Sequence, residues 1–528
     1  MNVLIAEPMA AAGIELFQSQ PGWTIWVSNP KEYQNHLAEA DALIVRSAVK
    51  VTKEVLEKAP KLRVIGRAGV GVDNVDLHAA TAAGVIVMNT PGGNAVAVAE
   101  HTIALMLAMA RSIPQASGST KSGKWEKKKF LGNEIREKTL GILGLGNIGR
   151  EVAKRAQAFE MRVMVSDPYV SRETAAGLNV DLVDVDKLFA ESDYITLHLA
   201  LTPETDKILS REAFAKMKQG VRIVNCARGE MIDQEALAEA MASGKVAGAA
   251  LDVFKPEPPP EGFPLYGFEN FLATPHIAGS TEEAQETVGV RIAEQVVDYL
   301  KNGVAINAVN MPALSPDQYK ALGPYIKLTE RLGALAAQIS TGNPKGVRLI
   351  YSGSIGDGNT NLIRNAGLVG LLNRWLSHRA TLVNALQLAQ QRGLAISESH
   401  DRKTSHFNTV TLELETDSGT TEVMGAVVLG RSRLLRLDGI SCEVPLSGHV
   451  LFMKNRDVPG VIGHVGTVLA ANGVNIANFS LGRPEARAPE GERAEALAVV
   501  ETDTPVPDSV IVQLKKNPAV RVARPVEL

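Results

Sequence analysis

Residues 139–159 read TLGILGLGNIGREVAKRAQAF, and the fold turns on how that stretch is parsed. TLGIL is apolar and of strand length, and REVAKRAQAF reads as a helix, so the glycine cluster at 144–149 occupies a strand-to-helix turn. Gly144 permits the tight turn, Gly146 lets the backbone approach a pyrophosphate, and Gly149 allows the helix to pack closely on the sheet. The free amides and the dipole at the helix start favour negative phosphates. Asp167 ends the next apolar run, eighteen residues after Gly149. A carboxylate there bonds ribose hydroxyls and repels a 2′-phosphate, which selects NAD over NADP. A glycine-rich turn beside a solvated aspartate is the plainer alternative. The complete order of strand, GxGxxG, helix, strand and Asp favours the nucleotide.

Outward from that loop, short apolar runs alternate with helical stretches. Strands are expected at 162–166, 194–197, 222–225, 248–251 and 271–273, and before the loop at 2–6, 42–46, 63–66 and 85–88. Such alternation builds parallel sheets. A long helix at 96–111, apolar nearly all round, is expected to be buried between domains. A second long helix covers about 281–301. The chain thus enters and leaves its central block through long helices, which suggests that the central domain is inserted into the outer one. The expected division is 1–95 with 285–312 as the outer domain, 96–284 as the nucleotide domain, 317–447 as an α+β block and 448–528 as a final block. Residues 303–316 form a linker. Within 317–447, helices at 316–340, 362–375 and 381–391 accompany a strand at 347–352 and three closing strands, with Asp417-Ser418-Gly419 turning between the first two. The final block runs strand, helix, strand, strand, helix, strand, a ferredoxin-like order.

The chain has 528 residues, enough for about three to five domains. Its 45% hydrophobic and 21% charged residues match an ordinary soluble protein, and the net charge of -3 argues against nucleic acid held by phosphate contacts. No apolar run reaches the ~18 residues of a membrane span. The opening MNVLIAEPMA reads directly as a strand, without the features of a signal peptide. Cys226 and Cys442 are the only cysteines. They provide no disulfide framework or metal cluster and suit a reducing, cytoplasmic compartment.

Three further strand ends carry unlike polar residues: Asn225-Cys-Ala-Arg228, Leu251-Asp252-Val-Phe-Lys-Pro-Glu257 and Thr274-Pro-His276-Ile-Ala-Gly. Ligands of open α/β sheets bind outside the carboxyl ends of the strands. All three segments share that edge with the glycine loop, so Arg228, Glu257 and His276 can converge on a small anion. Oxidising a secondary alcohol requires its hydroxyl proton to leave as hydride passes to nicotinamide. His276 suits the general base, since imidazole titrates near ~6.5. Glu257 would orient the ring and stabilise the imidazolium, Arg228 would grip a substrate carboxylate through its planar fork, and Asp252 would lie near the nicotinamide amide. Taken singly, these are a loop histidine, a strand-end arginine and a solvated glutamate; their coincidence at one edge is the functional signal. His101 reads as packed in its helix, and His198 as a strand-end residue near the cofactor.

GLGNIG, NCARG, the DVF…EP segment and TPHIAGST resemble the D-isomer-specific 2-hydroxyacid dehydrogenase family over residues 1 to about 312. The resemblance implies an α/β fold of two Rossmann-like parallel-sheet domains, the nucleotide domain inserted into the substrate domain. It assigns the Arg/Glu/His roles to Arg228, Glu257 and His276, and adds cofactor contacts by Asn147, Ile148, Asp167, Cys226, Ala227 and Asp252. Within the family, VRSAVK at 45–50, GRAGVGVDN at 66–74 and NTPGGN at 89–94 resemble the branch acting on 3-phosphoglycerate. Arg46, Ser47, Lys50 and Asn94 would then bind its carboxylate and phosphate. Val70 stands where some relatives have Thr, which matters little to a backbone contact. Residues 317–447 resemble the intervening domain of the long-form members; its polar stretch His400, Asp401, Arg402 and Lys403 reads as an exposed loop. The final block resembles an ACT domain, in which Asn455, Asp457 and Asn475 would hold an L-serine effector. A homotetramer is implied. No metal site is expected. The alternatives are another hydroxyacid dehydrogenase of the same family, acting on glyoxylate, hydroxypyruvate or 2-hydroxyglutarate, and a non-catalytic NAD-sensing regulator on this scaffold.

Overall fold

A computed structural model describes residues 1–312, 314, 316–376, 379–401, 408–484 and 495–528. Its first sheet has five parallel strands in the order Thr24–Val27, Asn2–Ile5, Ala42–Val45, Val64–Arg67, Ile86–Met88. Inner strands such as Ala42–Val45 are buried along their whole length, because helices cover both faces of a parallel sheet. One cover is Glu282–Asn302, whose Val288, Ile292 and Val296 pack among Val3, Ile5, Ile44 and Val64. Beyond it, Asn310 Oδ1 accepts a bond from the Val87 amide at 3.0 Å, tying the chain after the second long helix back to the first sheet.

The second sheet has seven parallel strands in the order Phe271–Ala273, Val246–Leu251, Val221–Asn225, Tyr194–Leu197, Thr139–Leu143, Arg162–Ser166, Asp181–Leu182. The order reverses between Tyr194–Leu197 and Thr139–Leu143, which opens a crevice beside the glycine loop. The helix Ala95–Ala110 is not a septum between domains. Its Val98, Ile103 and Met106 join Leu140, Ile142, Val152 and Val224 in the core of this sheet, and Val96 is exposed. Two strands were missed by periodicity, Thr24–Val27 and Asp181–Leu182. Both are sheet edges, the first partly exposed and the second only two residues long.

The third sheet is mixed, and five strands follow its last helix where three were expected: Ala395–Asp401, Thr409–Thr416, Gly419–Val428, Arg431–Leu437 and Ile440–Pro445. The Asp417-Ser418 turn is where it was read, pairing Thr416 with Gly419. His400 and Asp401, expected in a loop, end the strand Ala395–Asp401 opposite Tyr351 and Ser352, and Arg402 and Lys403 lie outside the described residues.

The fourth sheet is antiparallel, in the order Ile476–Gly482, Glu495–Thr502, His449–Arg456, Val520–Glu527. Strand periodicity divides its side chains between two cores. Leu451, Met453, Ala498 and Val500 sit beneath the helices Val461–Ala471 and Asp508–Leu514, whereas Val450, Phe452, Leu497 and Val499 merge with the core of the third sheet. A clasp reinforces that union. Arg524 Nη1 donates to the carbonyls of Gln338, Ile339 and Ser340 at 3.2, 2.9 and 2.9 Å, capping the C-terminus of the helix Pro316–Ile339, and Gln338 Nε2 donates to the Glu527 carbonyl at 2.9 Å. Cations are favoured at that end of a helix. Among the described residues no single helix is long and apolar enough to cross a membrane.

Candidate active site

The glycines of 144–149 have three different surroundings. Gly144 has φ 93°, and a Cβ there would stand 2.6 Å from the His198 carbonyl oxygen. A Cβ on Gly149 would stand 2.1 Å from the Gly144 oxygen, so helix and turn touch only because both lack side chains. A Cβ on Gly146 would meet nothing within 4 Å, leaving open space at the start of the helix Asn147–Ala158. Asp167 is fixed beside this opening: Oδ2 accepts from the Leu145 amide at 2.8 Å and Oδ1 from the Tyr169 amide at 2.8 Å. Gly144, Gly146 and Asp167 line a cavity of about 780 Å³. His198, Leu199 and Ala200 form a wall shared with a second cavity of about 440 Å³. The trough is a fit for an extended dinucleotide, with room for phosphates at Gly146 and a carboxylate for the ribose. Replacing Asp167 with Ala is expected to weaken NADH binding about tenfold or more, the worth of a charged hydrogen bond, and to narrow its preference over NADPH. Fluorescence titration with both nucleotides measures this.

The second cavity gathers the remaining polar groups. Asn147, Ile148, Cys226, Ala227, Arg228 and His276 line it from the nucleotide domain, and Arg67, Gly71, Asp73 and Asn94 stand on the opposite wall. His276 Nδ1 lies 2.8 Å from Glu257 Oε2. An ionised carboxylate only accepts, so Nδ1 carries the proton and Nε2 keeps its lone pair. Glu257 is itself held, its Oε1 accepting from the Phe254 amide at 2.9 Å. Arg228 Nη2 pairs with Asp73 Oδ2 at 2.9 Å across the cleft, and Nη1 donates to the Ala227 carbonyl at 2.7 Å. Burial pushes the His198 imidazole down to about 3, so it stays neutral and makes a poor base; burial likewise raises the Cys226 thiol to about 12.

Four expected contacts come out differently. Arg46, Ser47 and Lys50 do not line the cleft. The buried Glu7 carboxylate accepts from the amides of Arg46, Ala48 and Val49 at 2.8, 3.0 and 2.9 Å and folds that loop back, and the Arg46 guanidinium donates to the Pro8 carbonyl at 3.0 Å. Asp252 does not reach the cleft either. It is 0% exposed, and its carboxylate accepts from Thr274 Oγ1 and the amides of Ile277 and Ala278. The cation that does line the outer wall is Arg67, which sequence reasoning passed over. Burial and then the neighbouring Arg228 charge lower its pKa, and its Nε has no protein partner. The signal was available: Arg67 ends the strand beside Ala42–Val45, at the same carboxyl edge as Arg46.

In the fourth domain, Asp457 receives Arg483 through Nε at 2.8 Å and Nη2 at 3.2 Å, and Asn475 Nδ2 donates to Asp503 Oδ2 at 2.7 Å. Asn455 departs from expectation. It is 2% exposed inside the sheet, with Nδ2 donating to the Arg456 carbonyl at 2.9 Å, so it faces protein rather than an open effector site.

Comparison with known proteins agrees along the whole chain. Residues 103–278 match the NAD binding domain of D-isomer specific 2-hydroxyacid dehydrogenase, 321–438 match the D-3-phosphoglycerate dehydrogenase intervening domain, and 449–519 match the ACT domain. The chain is 41% identical over 523 residues to D-3-phosphoglycerate dehydrogenase of Methanocaldococcus jannaschii, covering 99% of this chain and 98% of that one. It is 42% identical over 510 residues to that of Archaeoglobus fulgidus, covering 96% of each. Among solved structures, NAD-dependent formate dehydrogenase from Staphylococcus aureus in complex with NAD superposes with a TM-score of 0.51 at 30% identity, covering 58% of this chain and 97% of that one.

Proposed function

The chain belongs to the D-3-phosphoglycerate dehydrogenase family, and from that premise we propose that it oxidises D-3-phosphoglycerate to 3-phosphohydroxypyruvate with NAD, the first step of L-serine biosynthesis. The observation that carries this reading is the meeting of His276 and Arg228 at one cleft, with Glu257 behind the imidazole and the glycine-loop cavity alongside. Gly144, Gly146, Asn147, Ile148, Asp167, Cys226 and Ala227 would hold the cofactor, and Gly149 its loop. When bound there, NAD supplies the hydride acceptor. The substrate carboxylate binds the Arg228 fork, displacing Asp73, and Arg67 with Asn94 complete the anionic wall. Nε2 of His276 takes the hydroxyl proton as the C–H bond breaks, and Glu257 stabilises the imidazolium that results. Full-length protein is expected to reduce NAD in the presence of 3-phosphoglycerate, and at lower rates with 2-hydroxyglutarate or glycerate. A preference for a hydroxy acid without phosphate overturns the substrate assignment.

The ACT domain supports regulation by L-serine. Asp457, half-buried, and Asn475, exposed, are the groups that can meet its ammonium and carboxylate. Asp457→Ala is expected to raise the serine concentration for half-inhibition tenfold or more, the value of roughly one charge-assisted hydrogen bond, with kcat unchanged. Inhibition curves at saturating substrate decide this. The proposal includes a homotetramer, supported by the family resemblance and checked by light scattering, and a cytoplasmic location, supported by two unpaired, buried cysteines.

A further inference from the structure

His276 occupies an unusual backbone state, φ 53°, in the left-handed region that a non-glycine residue adopts only when its surroundings impose it. The Thr274 carbonyl accepts from its amide at 3.0 Å, and Asp252 holds the backbone on both sides of it. The His276 amide donates to the Asp252 carbonyl at 2.8 Å, the Ile277 amide to Asp252 Oδ1 at 2.9 Å and the Ala278 amide to Asp252 Oδ2 at 2.9 Å, while Thr274 Oγ1 donates to Oδ1 at 2.5 Å. Residues on both sides of the base are thus stapled to one carboxylate that is 0% exposed.

A further link comes from another element. His101, on the helix Ala95–Ala110, places Nε2 3.1 Å from Thr274 Oγ1 and 3.5 Å from Asp252 Oδ1. Thr274 has one hydroxyl proton and gives it to Asp252, so Oγ1 accepts from His101, whose Nε2 therefore carries a hydrogen. The result is a directed chain from His101 through Thr274 to Asp252, and from there to the amides of 277 and 278. Burial alone would raise the Asp252 pKa, but the bonds from His101, Thr274 and the two amides outweigh it and lower it, so the staple remains an anion. The same helix, capped by Asn94, carries Val98 on the cleft wall, so the relay ties this helix to the loop bearing the base.

We propose that His101 and Thr274 are positioning residues for the reaction, acting through the Asp252 carboxylate to hold His276 in its left-handed conformation with Nε2 toward the cleft. The proposal rests on the reading of His276 as the base. Neither residue touches the cleft contents, so their removal should reach the rate through the geometry of His276 and leave nucleotide binding alone. Misplacing a reacting group by about 1 Å costs about a hundredfold in rate.

The test uses full-length protein with NAD and 3-phosphoglycerate. Thr274→Val, nearly isosteric, and His101→Leu are expected to lower kcat by about 10–100-fold while the NADH dissociation constant changes less than about threefold. Thr274→Ser and His101→Gln, which restore a hydroxyl and a donor, are expected to recover kcat to within about fivefold of the parent. The double variant Thr274→Val/His101→Leu should lose little more than the worse single one, because both interrupt one chain. Near-normal kcat in both single variants, or equal losses in the conservative and non-conservative variants, overturns the relay. His276→Ala separates the two levels. If it keeps turnover, the assignment of the base fails; if it is inactive while Thr274→Val is normal, only the relay fails.

Discussion

His276→Ala should abolish most turnover, lowering kcat by about 10²–10⁴-fold, the usual contribution of a positioned general base. The size of the effect follows from the cleft's composition. Among the described residues, the other histidine on the cavity wall is His198, which burial keeps neutral down to about 3 and which hydrogen-bonds Thr196 at 3.0 Å. The one cysteine there has its thiol raised to about 12, too weak an acid to ionise and accept the proton. The carboxylate on the opposite wall, Asp73, is engaged by Arg228 at 2.9 Å. His276 is 53% exposed as a side chain and makes no packing contribution of note, so the variant should unfold at nearly the parent temperature and bind NADH about as tightly. Rates at saturating substrate, NADH titration and thermal melts give three independent readings, and a variant with near-parent kcat excludes His276 as the base.

Arg228→Ala carries the second large effect. Two charge-assisted bonds to a carboxylate are worth about 1.5–3 kcal/mol each, so kcat/KM for 3-phosphoglycerate should fall by about 10²–10⁴-fold. Arg228→Lys should recover only part of this, since a point charge cannot reproduce the fork. Loss of stability is not the cause, because the partner left behind, Asp73, is 65% exposed and returns to water. If steady-state kinetics show a change in kcat/KM of less than about fivefold, the carboxylate is bound elsewhere, with Arg67 the next cation on the wall.

The parts of this site legible in the sequence are those set by local backbone demands. Gly144, Gly146 and Gly149 declare a turn, an opening and a close contact, and each demand is met within a few residues along the chain. Three strand ends at one sheet edge were also readable, because topology alone puts them there. What escaped depends on which way a loop folds after its strand. Arg46 and Arg67 end adjacent parallel strands and look equivalent in sequence, but Glu7, from a third strand end, draws the Arg46 loop away and leaves Arg67 facing the cleft. Asp252 was expected at the nicotinamide because it ends a strand at the ligand-binding edge; its role as a staple depends on amides 25 and 26 residues later. An edge strand such as Asp181–Leu182 lacks the length that periodicity detects.

The clasp of Arg524 on the last turn of Pro316–Ile339 makes the end of the polypeptide a mechanical terminal. That helix has 24 residues and is about 36 Å long at 1.5 Å per residue. Near its far end, the Tyr319 hydroxyl donates to the Gly303 carbonyl, just past the last turn of the helix that covers the substrate sheet. One helix thus ties the final strand to the doorstep of the catalytic half. Pro324, which lacks the amide that would continue the ladder, marks where such a rod would flex.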